Sequence, residues 1–195
     1  MLYDVCRFIV RCLLSFLFLV KSQGSETIPR DGPVVVCGNH RSLLDPPFVA
    51  CYMERHVRFM AKAELFKVPG FSRLISALGA FPVNRGGMSM ETMKTAIRVL
   101  KEGSAMVIFP EGTRQKSTKL GEGKKGAASL ALRSNASIVP VAIIGPYKPF
   151  RRMKIVYGEP FGAAESVSHL PPAEQGDALT EKIMASIQRL LDQHS

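Results

Sequence analysis

The chain has 195 residues, 46% of them hydrophobic and 22% charged, a composition that excludes an intrinsically disordered protein. This length suits one domain with a substantial core and is short for two. Lys and Arg number 26 against 16 Asp and Glu, and the resulting charge of +10 points to nucleic acid, an anionic membrane surface or phosphorylated substrates. Nucleic acid is disfavoured because the basic residues are dispersed, Trp is absent, and neither zinc-finger spacing nor an RNA-binding aromatic motif occurs.

The most hydrophobic stretch of the chain lies near its N-terminus, at residues 5–20. Residues 5–20 read VCRFIVRCLLSFLFLV, and a helix of that length spans about 24 Å, less than the roughly 30 Å hydrocarbon core of a bilayer. On a helix the polar side chains form one stripe: Asp4, Arg7, Arg11, Ser15 and Ser22. We predict a membrane-associating helix over 1–22 that lies in the interface, with its arginine heads at lipid phosphates. A single span or re-entrant helix, a signal peptide and an ordinary core helix are the alternatives.

Beyond a polar connection at 22–33, short apolar segments alternate with helical patterns. Strands are predicted at 34–37, 57–60, 80–83, 105–109, 138–144 and 154–157. Helices are predicted at about 46–55, 65–78, 89–101, 124–134 and 177–192. The alternation predicts one α/β domain over 23–195, with a mixed, largely parallel sheet flanked by helices. Active sites in such folds gather beyond the strand ends.

The segment CGNHRSLLDPP, at 37–47, places a histidine and an aspartate where a predicted strand turns into a helix. Capping alone explains Asp45, because Ser42-x-x-Asp45 fits a capping box and a proline follows. On one regular helix His40 and Asp45 would point about 140° apart, so they meet only across a bend. If they meet, the carboxylate fixes the imidazole tautomer and stabilises its charged form, as a general base requires. The spacing alone leaves both interpretations open.

Three further strand-to-turn junctions carry polar residues. AMVIFPEGTR (105–114) concentrates a Glu, a hydroxyl and an Arg around a glycine, where a polar substrate could be held. LGAFPVNRGG (78–87) presents Arg85, and FMAKAELFKVPG (59–70) presents Lys62. Arg can bind phosphate through two parallel hydrogen bonds. Each of these residues also fits a solvated turn.

Other chemistries find little support in the sequence. KLGEGKKGAASLALRS is not a nucleotide-binding phosphate loop, because Ala127 stands where that motif requires Lys. No His, Cys, Asp or Glu cluster has metal-site spacing. Four cysteines, in apolar stretches and without C-x-x-C spacing, predict free thiols in a reducing compartment: Cys6, Cys12, Cys37 and Cys51. Cys37 is disfavoured as a nucleophile because it ends the buried run VVVC.

Taken in order, these segments resemble the glycerolipid acyltransferase family, whose members transfer an acyl chain from a thioester to glycerol phosphate or a lysophospholipid. NHRSLLD matches the first block of that family, GAFPVNR the second, FPEGTR the third and IVPVAI (138–143) the fourth. The match runs from about 34 to 145, and the short chain looks most like the bacterial 1-acyl-sn-glycerol-3-phosphate acyltransferases. The second block commonly has Ile-Asp-Arg where this chain has Val83-Asn84-Arg85, so we expect adjusted local contacts there.

The resemblance implies a role for each matched residue. His40 would deprotonate the acceptor hydroxyl and Asp45 would orient His40, without an acyl-enzyme intermediate. Lys62 and Arg85 would bind the acceptor phosphate. The glycerol phosphate would be positioned by the third block: Glu111, Gly112, Thr113 and Arg114. No metal and no bound cofactor are expected.

The implied reaction transfers a fatty acyl group from acyl-CoA or acyl-carrier protein to the 2-hydroxyl of 1-acyl-sn-glycerol-3-phosphate (lysophosphatidic acid), forming phosphatidic acid. Glycerol-3-phosphate or another lysophospholipid is the alternative acceptor. The non-enzymatic alternative is a basic peripheral membrane-binding module. We expect an anionic membrane surface as a partner, a location at the cytoplasmic face of the cell membrane, and no nucleic acid.

Overall fold

An eight-stranded mixed sheet forms the centre of the structure, a computed structural model that describes residues 2–83 and 89–195. Its strands are β1 Leu19–Gln23, β2 Val34–Gly38, β3 Val57–Lys62, β4 Ala80–Val83, β5 Ala105–Ile108, β6 Ser137–Ile144, β7 Arg152–Tyr157 and β8 Phe161–Gly162. The helices are α1 Leu2–Leu17, α2 Asp45–Cys51, α3 Phe71–Ala77, α4 Met90–Lys101, α5 Gly126–Ser134, α6 Ala163–Val167 and α7 Pro172–His194. Short 3-10 turns span Ser25–Thr27 and Ala63–Lys67.

The strand order is β1-β7-β6-β2-β5-β3-β4, with β8 paired to β6. Five neighbouring pairs run parallel, and β6 pairs antiparallel with both β7 and β8. The predicted mixed, largely parallel sheet is therefore confirmed. Every residue of β2 and β5 is buried, as expected of parallel strands that helices cover on both faces.

Two hydrophobic clusters fill the two faces of the sheet. One is formed with α1 and α2, and includes Leu14, Phe48 and Met53. The other is formed with α4 to α7, and α7 contributes Ile183 and Ile187, which lie one helical turn apart and are almost fully buried. The regularly spaced apolar residues of the predicted last helix thus form its packing face.

All six predicted strands are present, but the N-terminal segment differs from its prediction. The predicted helix over 1–22 ends at Leu17, and residues 19–23 form β1, which pairs parallel with β7. The predicted boundary between residues 22 and 23 therefore falls inside a strand. This edge strand is exposed on one face and only half-buried on the other. Polar residues such as Lys21 and Ser22 are therefore tolerated in it, and the sequence shows no clear strand pattern. The predicted helix at 65–78 is also divided, since Gly70, at φ 76°, separates a 3-10 turn from α3.

The polar stripe of α1 faces the protein. The guanidinium of Arg7 donates to the carbonyl of Met53 at 2.8 Å, and Ser15 shares a 2.7 Å hydrogen bond with the hydroxyl of Tyr52. The Arg7 guanidinium thus contacts the protein, and the contact of the arginine heads with lipid phosphates stays a prediction. No helix in the two described ranges, 2–83 and 89–195, is long and apolar enough to cross a bilayer.

Candidate active site

The buried amide of Asn39 fixes the end of β2. Its Nδ2 donates to the carbonyl of Ile143 at 3.0 Å, and its Oδ1 accepts from the Ile143 N–H at 2.8 Å. This pair of bonds extends the contact between β2 and β6 beyond their last paired residues, Gly38 and Val141. A Cβ on Gly38 would come within 2.8 Å of Val141 Cγ1, so glycine is needed there. The point at which the chain leaves the sheet is therefore fixed.

His40 and Asp45 meet across the turn that follows. Nδ1 of His40 lies 2.9 Å from Oδ2 of Asp45, whose side chain is fully buried, while the His40 side chain is 18% exposed. The imidazole stacks on the ring of Phe109, with centroids 4.2 Å apart and planes 16° apart. Because an ionised carboxylate only accepts hydrogen bonds, the neutral imidazole has its proton on Nδ1 and its lone pair on Nε2. Nε2 makes no hydrogen bond to any described residue, so it is free to accept a proton.

The Asp45 carboxylate accepts four hydrogen bonds. Its Oδ2 accepts from His40 and from the backbone N–H groups of Arg41 and Ser42, the latter two at 2.6 and 2.7 Å. Its Oδ1 accepts from the hydroxyl of Tyr147 at 2.5 Å. A buried charge is tolerated only when it is paired and hydrogen-bonded, and this set of donors meets that condition. The carboxylate can therefore hold His40 in one orientation.

Asp45 both caps the start of α2 and pairs with His40. Asp45 is the first residue of α2, and its bond to the Ser42 N–H is one half of the predicted capping box. The other half is replaced, because the Ser42 hydroxyl accepts from Leu44 at 3.2 Å. The hydrogen bonding of Asp45 at the start of α2 thus also places its carboxylate beside His40.

Tyr147 is a member of this site that the sequence analysis did not identify. It lies between β6 and β7 at φ 50°, and its ring is 6.2 Å from that of Phe48, centroid to centroid. Burial, followed by the nearby Asp45 carboxylate, raises the pKa of the Tyr147 hydroxyl, so this group remains a hydrogen-bond donor. No spacing signal connects residues 102 positions apart.

Glu111 points into the protein and is 2% exposed. Its Oε1 accepts from the backbone N–H of His40 at 2.6 Å, and its Oε2 accepts from the N–H of Gly121 at 2.7 Å. The N–H of Gln115 in turn donates to the carbonyl of His40 at 2.8 Å. Glu111 of the third block and Gln115, the residue after that block, therefore bind the backbone of His40 through its N–H and its carbonyl. Since backbone donors occupy both carboxylate oxygens, this geometry favours a positioning role for Glu111 over direct contact with a substrate.

The rest of the third block forms an exposed turn. Gly112 adopts φ 69°, and its N–H donates to the carbonyl of Phe109 at 3.0 Å. A Cβ on Gly112 would lie 3.1 Å from the ammonium of Lys124, so a second basic side chain crosses this turn. Thr113 and Arg114 are exposed to solvent. The turn thus presents a hydroxyl and two cationic groups to the solvent.

Lys62 ends β3 and is exposed. Because β3 and β2 both run parallel to β5, Lys62 lies at the same edge of the sheet as the turn that carries His40. Val83, the last residue of β4, is paired with Lys62. Arg85 lies outside the described residues. The structure thus brings Lys62, His40 and the 111–114 turn to the carboxyl edge of the sheet.

Cys37 lies in the core. It is fully buried, and burial raises the pKa of its thiol to about 12, so the thiol is protonated near neutral pH. All four cysteines are free. Within residues 2–83 and 89–195, no three His, Cys, Asp or Glu side chains are grouped so that they could hold a metal ion.

Comparison with known proteins finds similarity over most of the chain. A family model described as Acyltransferase matches residues 19–144. The 1-acyl-sn-glycerol-3-phosphate acyltransferase of Bacillus subtilis is 33% identical, over 97% of this chain and 96% of that protein. A protein of the same name from Streptococcus pneumoniae is 34% identical, over 63% of this chain and 46% of its own. Among solved structures, the 1-acyl-sn-glycerophosphate (LPA) acyltransferase PlsC of Thermotoga maritima matches with a TM-score of 0.78 at 25% identity, over 99% of this chain and 81% of that one.

Proposed function

This chain belongs to the Acyltransferase family, and we propose that it transfers a fatty acyl group to the 2-hydroxyl of 1-acyl-sn-glycerol-3-phosphate, forming phosphatidic acid. The observation that carries the proposal is the His40–Asp45 pair, with Nδ1 bound 2.9 Å from the carboxylate. Nε2, the free ring nitrogen, is the proton acceptor that a hydroxyl needs to become a nucleophile. The names of the similar proteins support this choice of acceptor.

In the proposed reaction, Nε2 of His40 takes the proton of the acceptor hydroxyl while its oxygen attacks the thioester carbonyl carbon. The carbon–sulfur bond then breaks, and the leaving thiolate recovers the proton from the imidazolium. Asp45 stabilises that imidazolium through the Nδ1 hydrogen bond. A positioned general base of this kind typically contributes about 10²–10⁴-fold in rate. Glu111 and Tyr147 act through His40 and Asp45 as positioning residues.

The phosphate of the acceptor is proposed to lie at the carboxyl edge of the sheet, bound by Lys62, Arg85 and Arg114. The exposure of Lys62 and Arg114 at this edge supports the proposal. Gly112 and Thr113 would complete the subsite, with the glycine turn admitting the glycerol phosphate and the hydroxyl offering a hydrogen bond. The donor is an acyl thioester of coenzyme A or of acyl-carrier protein.

Membrane association is part of the same proposal. Both lipid substrate and lipid product reside in a bilayer, and seven apolar side chains of α1 are exposed, including Phe8 at 67% and Phe16 at 73%. We propose that α1 lies in the interface at the cytoplasmic face of the cell membrane. The net charge of +10 adds attraction to anionic lipid, about 1 kcal/mol for each Lys or Arg near the surface.

The test is an acyl-transfer assay in detergent micelles with purified protein. Acyl-CoA and acyl-carrier protein are each offered with lysophosphatidic acid, glycerol-3-phosphate and lysophosphatidylcholine, and products are read by mass spectrometry. We expect phosphatidic acid from lysophosphatidic acid, and a loss of about 10²-fold or more in kcat for His40→Ala. His169→Ala, which changes an exposed histidine, is the matched control. Unchanged turnover in His40→Ala, or preference for another acceptor, would contradict the proposal.

A further inference from the structure

The exposed face of α1 continues onto a second segment of the chain. Seven apolar side chains on α1 are at least 40% exposed: Leu2, Val5, Phe8, Ile9, Leu13, Phe16 and Leu17. The loop between β6 and β7, residues 145–151, lies beside the end of this helix. The N–H of Phe150 donates to the carbonyl of Leu17 at 2.7 Å, and the N–H of Leu19 donates to the carbonyl of Arg151 at 3.1 Å. Helix and loop are therefore joined.

Phe150 extends the apolar face. Its ring meets that of Phe16 edge to face, with centroids 6.4 Å apart, yet the two residues are 65% and 73% exposed. Phe150 also has φ 59°, a backbone conformation that is costly for a bulky side chain. Contacts within the described chain leave most of this ring uncovered. A large exposed apolar surface with polar neighbours marks an interaction site.

The neighbours of Phe150 on the loop are cationic. Lys148, Arg151 and Arg152 are all exposed, and the stretch from 145 to 154 contains no acidic residue. None of the three forms an ion pair with a described carboxylate. An apolar surface with a basic rim matches the chemistry of an anionic phospholipid bilayer, in which acyl chains lie beneath negatively charged headgroups.

We propose that residues 145–151, together with Arg152, form a second membrane-contact element beside α1, in which Phe150 inserts among acyl chains and the three cations bind anionic headgroups. The inference rests on the proposed membrane association of α1 and extends it to a named loop. Tyr147, on the same loop, is hydrogen-bonded to Asp45, and Leu43, between His40 and Asp45, is 73% exposed. The loop thus connects the bilayer surface to the turn that carries His40.

Vesicle co-sedimentation of the full chain tests the proposal. The vesicles are phosphatidylcholine alone and an equimolar mixture of phosphatidylcholine and phosphatidylglycerol. Phe150→Asn, which suits a positive φ, should weaken binding to both by roughly tenfold, because it removes an aromatic side chain that would be buried among acyl chains in the bound state. Lys148→Gln with Arg151→Gln should weaken binding to the anionic vesicles by roughly fivefold for each charge and leave the neutral ones unchanged.

Matched controls lie on α4, which packs on the other face of the sheet. Met90→Asn removes an equally exposed apolar side chain and Lys94→Gln removes an exposed charge, and neither should alter vesicle binding.

Two results would overturn the proposal. The first is that the loop variants bind vesicles as well as the unmodified chain does, while Phe8→Asn loses binding. The second is that light scattering finds a dimer which Phe150→Asn dissociates, because a second copy of the chain would then cover this face. Vesicle binding is measured without substrates, so inactivity in the detergent assay would overturn the proposed function alone.

Discussion

The hydroxyl of Tyr147 donates to Oδ1 of Asp45 at 2.5 Å, while the opposite oxygen of that carboxylate is bound to His40 at 2.9 Å. One buried carboxylate therefore connects the β6–β7 loop to the imidazole. A hydrogen bond to a charged group contributes about 1.5–3 kcal/mol to stability. The same bond prevents rotation of the carboxylate away from Nδ1.

Tyr147→Phe should therefore reduce kcat and destabilise the fold by about 1.5–3 kcal/mol, because Oδ1 of Asp45 has no other donor among residues 2–83 and 89–195. The phenyl ring keeps its packing against Phe48, and the KM values should stay near those of the unmodified enzyme. Urea denaturation and steady-state kinetics, at a temperature where both proteins are folded, check the two effects. A variant that is destabilised but retains full kcat would limit Tyr147 to a structural role.

Asp45→Asn separates the charge of this residue from its hydrogen bonds. The amide oxygen can face the three N–H donors, and the amide nitrogen can face the Tyr147 hydroxyl, which can accept. We expect a folded protein whose kcat falls by about 10²–10⁴-fold, since the imidazolium loses its countercharge. Asp177→Asn, at an exposed ion pair with Lys125, is the control and should keep full activity. Full turnover in Asp45→Asn would show that the charge is not required.

Glu111→Gln is expected to be more harmful than its conservative chemistry suggests. Both carboxylate oxygens accept from backbone N–H groups, so the amide nitrogen of Gln would oppose a donor at His40 or at Gly121. The unsatisfied N–H should cost about 1–3 kcal/mol, measured by urea denaturation. Displacement of His40 should lower kcat more than it raises KM. Glu122→Gln, which changes the exposed glutamate next to Gly121, is the control for these effects. A rise in KM alone would instead indicate a direct substrate contact.

Cys37 should be inert toward iodoacetamide in the folded protein. Burial raises the pKa of its thiol to about 12, so at pH values well below 12 almost no thiolate is present, and the side chain is inaccessible. Cys12, which is exposed on α1, should react and serve as the internal reference. Peptide mass spectrometry should find Cys37 modified only after unfolding in urea. Loss of turnover in step with modification of Cys37 in the folded chain would revive the nucleophile hypothesis.

The sheet was largely predictable because its central strands are buried on both faces. Runs such as VVVC and AMVI have no amphipathic alternation, and their placement between helical patterns indicates parallel strands. The strand β1 was not predictable, since its residues follow a long apolar helical pattern directly and one face of this edge strand is exposed. Short elements such as β8 offer too few residues for any periodicity.

The candidate site was predictable only in part. The turn between β2 and α2 is local, so the meeting of His40 and Asp45 follows from one bend at the end of a strand. Tyr147 and Asn39 contribute through contacts over 102 and 104 residues, and such distances leave no mark in spacing. Glu111 likewise points inward because two backbone N–H groups bind its carboxylate. A sequence motif, which lists only side chains, does not reveal these donors.

The parallel pairing of β1 with β7 makes the N-terminal segment inseparable from the domain. Truncation before residue 24 would remove a row of ladder hydrogen bonds, expose the edge of β7 to other chains, and strip Leu14 and Phe18 from the core. A version of the protein that lacks residues 1–23 is therefore expected to be less stable and to associate through the edge of β7. Single polar substitutions on the outer face of α1, with the strand left in place, are the way to test the proposed membrane association without this damage.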